Sequence, residues 1–133
     1  TPDGRRAGEP LADSIGPVAG RDRYGPTAML RSVTRLPLQL AVGTPVLNMR
    51  FGKTLLTSPE GRRAVRHLIS TYFQLGGMQI QLSVVDREAL EDAMVHPERH
   101  EDLIVRVGGF SAYFNSLSPE LKHTILERTE HTL

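Results

Sequence analysis

Apolar residues recur at helical spacing through the middle of this chain. Ala64, Val65, Leu68, Ile69, Tyr72 and Phe73 form one stripe, with Arg62, Arg63, Arg66 and His67 on the opposite face. Ser58 suits an N-cap, Pro59 suits the first helical position, and Gly76-Gly77 stops the run. The pattern predicts a helix over 59–75. Alternation replaces it on either side. Val46 to Phe51 reads as a strand with Val46, Asn48 and Arg50 on one face and Leu47, Met49 and Phe51 on the other. Residues 79–85 alternate likewise. Asp86 is placed to cap a helix over 86–95 that carries Ala89, Leu90, Ala93 and Met94 and ends before Pro97. Further helices are expected near 27–35, and near 118–130 behind Ser118-Pro119-Glu120, with Leu121, Ile125 and Leu126 inward.

Two stretches break these rhythms. Residues 1–26 are rich in glycine and proline and lack periodicity, which reads as an extended loop or linker. Near the other end an apolar run, Leu103-Ile104-Val105, predicts a strand over 103–107 that runs straight into Gly108-Gly109. Glycine weakens strands and leaves packing volume empty, so a double glycine between Val107 and Phe110 signals either a tight turn or a close approach to the backbone. Val105, Val107, Phe110, Tyr113 and Phe114 supply an apolar frame around it.

Composition narrows the functions available. At 133 residues the chain holds at most one domain. With 16 basic and 15 acidic side chains, its charge of +1 offers no electrostatic case for nucleic acid or an anionic membrane. Apolar runs are far short of a membrane span and no charged-then-apolar leader is present, which gives the expectation of a cytoplasmic chain. It begins at Thr1 inside a loop-like stretch, as if cut from something longer. The absence of cysteine excludes disulfides and thiolate metal sites. His96 and His100 are four apart, but Pro97 interrupts a helix between them and no third ligand is near. These two, with His67, His123 and His131, read as solvated histidines, and no bound cofactor or metal is expected.

The string Arg106-Val107-Gly108-Gly109-Phe110 resembles the glycyl radical signature of pyruvate formate-lyase-like enzymes, in which the glycine before the aromatic residue carries the radical. By that resemblance the site is Gly109, with Arg106, Val107, Gly108 and Phe110 as its supporting loop. Gly108 stands where the family more often has serine or alanine. The opening block from Thr1 to Asp13, the Gly25-Pro26-Thr27-Ala28 helix start with Ser32-Val33, Asn48 and Phe51, and the terminal Arg128-Thr129-Glu130-His131 resemble the same family in order and spacing. The resemblance covers essentially the whole chain. It divides the chain into a loop segment, 1–26, and a glycyl radical domain, 27–133. It also implies an α+β fragment of a ten-stranded α/β barrel, with a buried Gly-Gly radical loop. In isolation, the strands at 46–51 and 103–107 are expected to have open edges. Asn48 keeps two readings, facing water as an ordinary strand residue or pointing inward as in the family.

The chemistry explains the requirement for a bare carbon. At a glycine Cα the amide nitrogen donates electron density and the carbonyl withdraws it, and together they stabilise an unpaired electron if the centre can flatten. A side chain would oppose that flattening and obstruct the hydrogen-atom partner. The resemblance implies an anaerobic, oxygen-sensitive enzyme of the lyase or dehydratase type. Its activating partner is of the radical S-adenosylmethionine class and carries an iron–sulfur cluster. The stored radical generates a cysteine thiyl elsewhere in a full-length homodimeric barrel, since this chain has no cysteine of its own. Arg106 is expected to hold the loop by pairing with a carboxylate or carbonyl. A second reading is a stand-alone subunit that replaces an oxygen-damaged radical domain, to which Phe114-Asn115-Ser116-Leu117-Ser118-Pro119-Glu120 is similar. A third is an interaction domain that kept the fold and lost the radical.

Overall fold

The computed structural model describes residues 2, 4–9, 11–18, 20–84, 86–107, 109–127 and the backbone of 130–131. Helix α1, Gly25–Val33, starts ahead of the expected position because Pro26 sits in its first turn, where a missing N–H costs nothing. It buries Pro26, Met29, Leu30 and Val33, one stripe at helical spacing. Strand β1, Val46–Phe51, is followed by a short helix α2, Lys53–Thr57, and by α3, Pro59–Gln74. The Ser58 hydroxyl accepts from the Gly61 amide at 2.9 Å, the cap expected from the sequence. Arg62 then donates to the carbonyls of Leu56 and Thr57, both at 2.8 Å, and so closes the end of α2.

Strand β2, Gln79–Val84, returns parallel to β1 in register from Val46↔Gln79 to Phe51↔Val84. Parallel neighbours need a crossover, and α2 with α3 provides it. Leu47, Met49 and Phe51 of β1 are buried against α1 and α3, with Val65, Leu68 and Tyr72 facing them and Ile80 and Leu82 packed alongside. The other sheet face is largely polar: Asn48 pairs with Gln81 and Arg50 with Ser83.

Helix α4, Arg87–Val95, has Asp86 at its N-cap position, but the aspartate side chain makes no capping bond. Strands β3, Ile104–Arg106, and β4, Ser111–Tyr113, form an antiparallel hairpin. Helix α5, Pro119–Glu127, ends short of the expected 130. Glu130–His131 instead forms a two-residue strand, β5, parallel to β1. A second cluster of Leu90, Ala93, Val105, Phe114 and Ile125 joins α4, α5 and the hairpin.

The architecture is α+β, with sheet order β2-β1-β5 and a separate hairpin, and the described strands close no barrel. The open edges expected at 46–51 and 103–107 are corrected in part. β1 is the central strand because β5 folds back onto it, and β3 takes β4 as its neighbour. Residues 13–15 also lie along β1, where the Ile15 amide donates to the Val46 carbonyl at 3.4 Å.

Candidate functional site: the glycine hairpin

The hairpin presents the double glycine at its tip. Ile104↔Tyr113, Val105↔Ala112 and Arg106↔Ser111 are paired, and the Val107 amide donates to the Phe110 carbonyl at 3.0 Å. Gly108 lies outside the described residues. Gly109 is exposed with φ 158°, and a Cβ built on it meets no atom within 4 Å. Its α-carbon is therefore open to an approaching molecule.

The expected apolar frame is only half assembled around this tip. Val105 and Phe114 are buried, and Val107 is half-buried. Phe110 is 59% exposed and Tyr113 53%. The buried radical loop expected from the sequence is thus corrected for Gly109. Strand alternation explains the split: Val105 and Ala112 turn towards α4 and α5, whereas Ile104 and Tyr113 turn away. A run of apolar residues cannot reveal which of its faces its own chain covers.

The base of the hairpin is better tied down than its tip. The Phe114 amide donates to the Leu103 carbonyl at 2.7 Å. Asn115 Nδ2 donates to the carbonyls of Pro97 and His100, at 2.7 and 3.1 Å. His100 Nε2 in turn lies 2.7 Å from Asp92 Oδ2 on α4. That bond, helped by the charges of His100, His96 and Arg99, outweighs desolvation and holds the Asp92 carboxyl below its ordinary value. The Lys122 ammonium stands 5.5 Å from the centre of the buried Phe114 ring. These contacts make the hairpin an extension of the α4–α5 cluster.

Arg106 Nη1 donates to the Ser111 hydroxyl at 3.1 Å, a cross-strand tie at the mouth of the loop. His100 is not a solvated histidine, because Asp92 takes it up. Asn115 and Asp92 were missed in the sequence: a single asparagine after Phe114, and an aspartate eight residues from its histidine, carry no periodic signal. Asn48 is half-buried, on the sheet face opposite Leu47 and Met49. Its Nδ2 donates to Asp13 Oδ1 at 2.9 Å, and its Oδ1 is buried. Among the described residues no group of three or more His, Asp or Glu is placed to hold a metal ion, and no helix is long and apolar enough to cross a membrane.

The family model described as glycine radical matches residues 11–115, a span that includes the whole hairpin. The chain belongs to the glycine radical family. It is 42% identical over 134 residues to the probable dehydratase YbiW of Escherichia coli K12, covering all of this chain and 16% of that protein. Among solved structures, the glycerol-bound B12-independent glycerol dehydratase from Clostridium butyricum superposes with a TM-score of 0.92 at 41% identity, over 100% of this chain and 17% of that one. A structure from work on 1,2-propanediol dehydration in Roseburia inulinivorans gives a TM-score of 0.90 at 44% identity, over 98% and 16%. The chain thus spans about one sixth of the length of these relatives.

Proposed function

We propose that this chain is the C-terminal glycyl radical domain of a larger lyase- or dehydratase-type glycyl radical enzyme, and that Gly109 stores the radical. The observation that carries the reading is the open α-carbon of Gly109, at the tip of a hairpin whose base is held by Asn115 and the α4–α5 cluster. An activating enzyme of the radical S-adenosylmethionine class, with its own iron–sulfur cluster, removes one α-hydrogen there. In the closed enzyme the radical then takes the hydrogen of a cysteine thiol from the remainder of the barrel. The resulting thiyl takes a hydrogen from substrate. The chain itself contributes the glycine, the loop that presents it and part of the apolar surround. The exposed faces of Phe110 and Tyr113 are shielded by that remainder, which keeps oxygen and water from the radical.

Similarity to large dehydratases runs through the first half of the chain as well as the second, which supports this reading over a stand-alone replacement subunit. The test is electron paramagnetic resonance after anaerobic activation. A doublet-like signal is expected, because the electron couples mainly to the single remaining α-hydrogen. Gly109→Ala abolishes it and Gly108→Ala leaves most of it. A methyl added at Gly109 meets no neighbour within 4 Å, but the φ of 158° is one that residues with a side chain rarely adopt, so circular dichroism of the variant is read beside the spectrum to separate lost chemistry from a lost fold. A signal that survives Gly109→Ala and disappears in Gly108→Ala moves the radical to the other glycine.

A further inference from the structure

The described residues form two hydrophobic clusters, and the hairpin that carries Gly109 belongs with the second. The first joins α1, β1 and α3; the second joins α4, α5 and the hairpin. Contacts that join the two bodies lie at the end of β1. Arg50, 5% exposed, is the one buried charged residue among the described residues. Its Nη2 donates to the main-chain carbonyl of Ile125. Because α5 ends at Glu127, that carbonyl is one of the last four, which a helix leaves without an internal partner. The guanidinium also places its charge at the negative end of the α5 dipole. Ile125 itself is buried in the second cluster with Val105 and Phe114, the residues that back the hairpin. The pairing of β5 with β1 falls at the same place, Arg50↔Glu130 and Phe51↔His131.

We propose that Arg50 is a positioning residue that latches the body carrying Gly109 onto the central strand. The inference rests on the reading of Gly109 as the radical site. Arg50 touches no reacting atom in this arrangement. It fixes where the hairpin tip stands relative to the sheet, and through the sheet to whatever the tip must meet. The two steps asked of Gly109 need opposite things from such a latch. Removal of its hydrogen by a separate enzyme requires the tip to be accessible. Use of the radical requires the tip to be held at contact distance from the thiol, where misplacement by about 1 Å can cost on the order of 100-fold.

Arg50→Met keeps an apolar stem and removes the cation, whereas Arg50→Lys keeps the charge and a donor. Both are made in the full-length enzyme with its activating enzyme. Amide hydrogen exchange of the unactivated protein is read first. In Arg50→Met, peptides from 103–127 are expected to exchange roughly 10-fold faster, while peptides from 59–84 stay unchanged, because local opening is confined to the released body. After activation, radical per chain at early times should equal or exceed the wild type. Turnover per radical should fall roughly 10-fold, in keeping with the geometric sensitivity of proximity effects. Arg50→Lys should recover most of both. A fold defect would instead lower radical yield and turnover per radical together and speed exchange across both regions; that outcome overturns the proposal. So does unchanged exchange in 103–127, or wild-type turnover per radical in Arg50→Met. If the wild type forms no glycyl radical, the reading of Gly109 fails, and the exchange measurement still decides whether Arg50 latches the two bodies.

Discussion

The phenol of Tyr72 donates to the main-chain carbonyl of Gln79 at 3.1 Å, across the turn that joins α3 to β2. Tyr72 is fully buried, and its ring lies so close over Gly77 that a Cβ built there comes within 2.4 Å of it. Gly76, at φ 91°, reverses the chain after α3, and Gly77 leaves room for the ring. The turn therefore sets the entry of β2 and with it the register of the parallel pair.

Two substitutions separate these roles. Tyr72→Phe removes the hydroxyl and leaves the Gln79 carbonyl to other partners, at an expected cost of about 1 kcal/mol. Gly77→Ala drives a methyl into the ring and is expected to cost roughly 1–3 kcal/mol, the range for overpacking. Denaturant unfolding of both variants checks the order. A Gly77→Ala protein as stable as Tyr72→Phe or more so contradicts the close approach.

Asp92 gives the hairpin base a defined response to acid. Its carboxyl is held below the ordinary 3.8, chiefly by the hydrogen bond from His100. A carboxylate depressed in the folded state adds stability above its unfolded value, and that stability is lost as pH falls through the folded value. The window is therefore below about 3.8. In Asp92→Asn this acid-dependent part should vanish, so stability against pH should be flatter there than in the wild type. Acid titration followed by circular dichroism reads the difference, and parallel curves for the two proteins would show that the pair does not couple to folding.

Much of this arrangement is legible in the sequence, and the losses have physical causes. The stripe from Val65 to Tyr72 and the Ser58 cap identify α3 because sixteen residues repeat one period, and local chemistry marks the ends. β1 and β2 are legible because each alternates over six residues. The five residues of α2 are hidden by the stronger start signal at Ser58-Pro59 beside them. β4 is only three residues long, and Ala112-Tyr113 offers no alternation to count. β5 exists through its pairing with β1, a contact between residues about eighty positions apart that no local window contains. The candidate glycine is legible from its neighbours Val107 and Phe110, but its exposure is not, because burial depends on which elements cover each face of the hairpin. Arg50 is legible only as a strand residue, since its partner is a backbone carbonyl of α5.

Air should cut the activated protein at the hairpin tip. Oxygen adds to the carbon-centred radical at Gly109, and the peroxyl product breaks the backbone there. Mass spectrometry after aeration should find a C-terminal piece beginning near Phe110, complementary to a large N-terminal one. Protein that was never activated, and activated Gly109→Ala, should stay intact under the same exposure. Uncut protein, in a sample whose radical was confirmed before aeration, refutes the assignment.

The 133-residue chain alone should convert no substrate, activated or not. Taking hydrogen from an unactivated carbon requires a radical delivered within contact distance of it, and a thiyl is the proposed carrier. The chain has no cysteine, so a radical on Gly109 has no thiol of its own to oxidise. The open tip of the hairpin points the same way: Gly109 and Phe110 are exposed here, and nothing in the described residues folds over them to form a substrate cavity. A full-length partner that keeps its cysteine but carries alanine in place of its own radical glycine supplies both missing parts. Mixed with the activated chain, it should regain turnover in proportion to the fraction of chain that docks, and it should lose that turnover when the added chain carries Gly109→Ala. Product formed by the 133-residue chain without any partner, at a rate that tracks its radical content, would show that Gly109 acts on substrate directly and that the thiyl step is unnecessary.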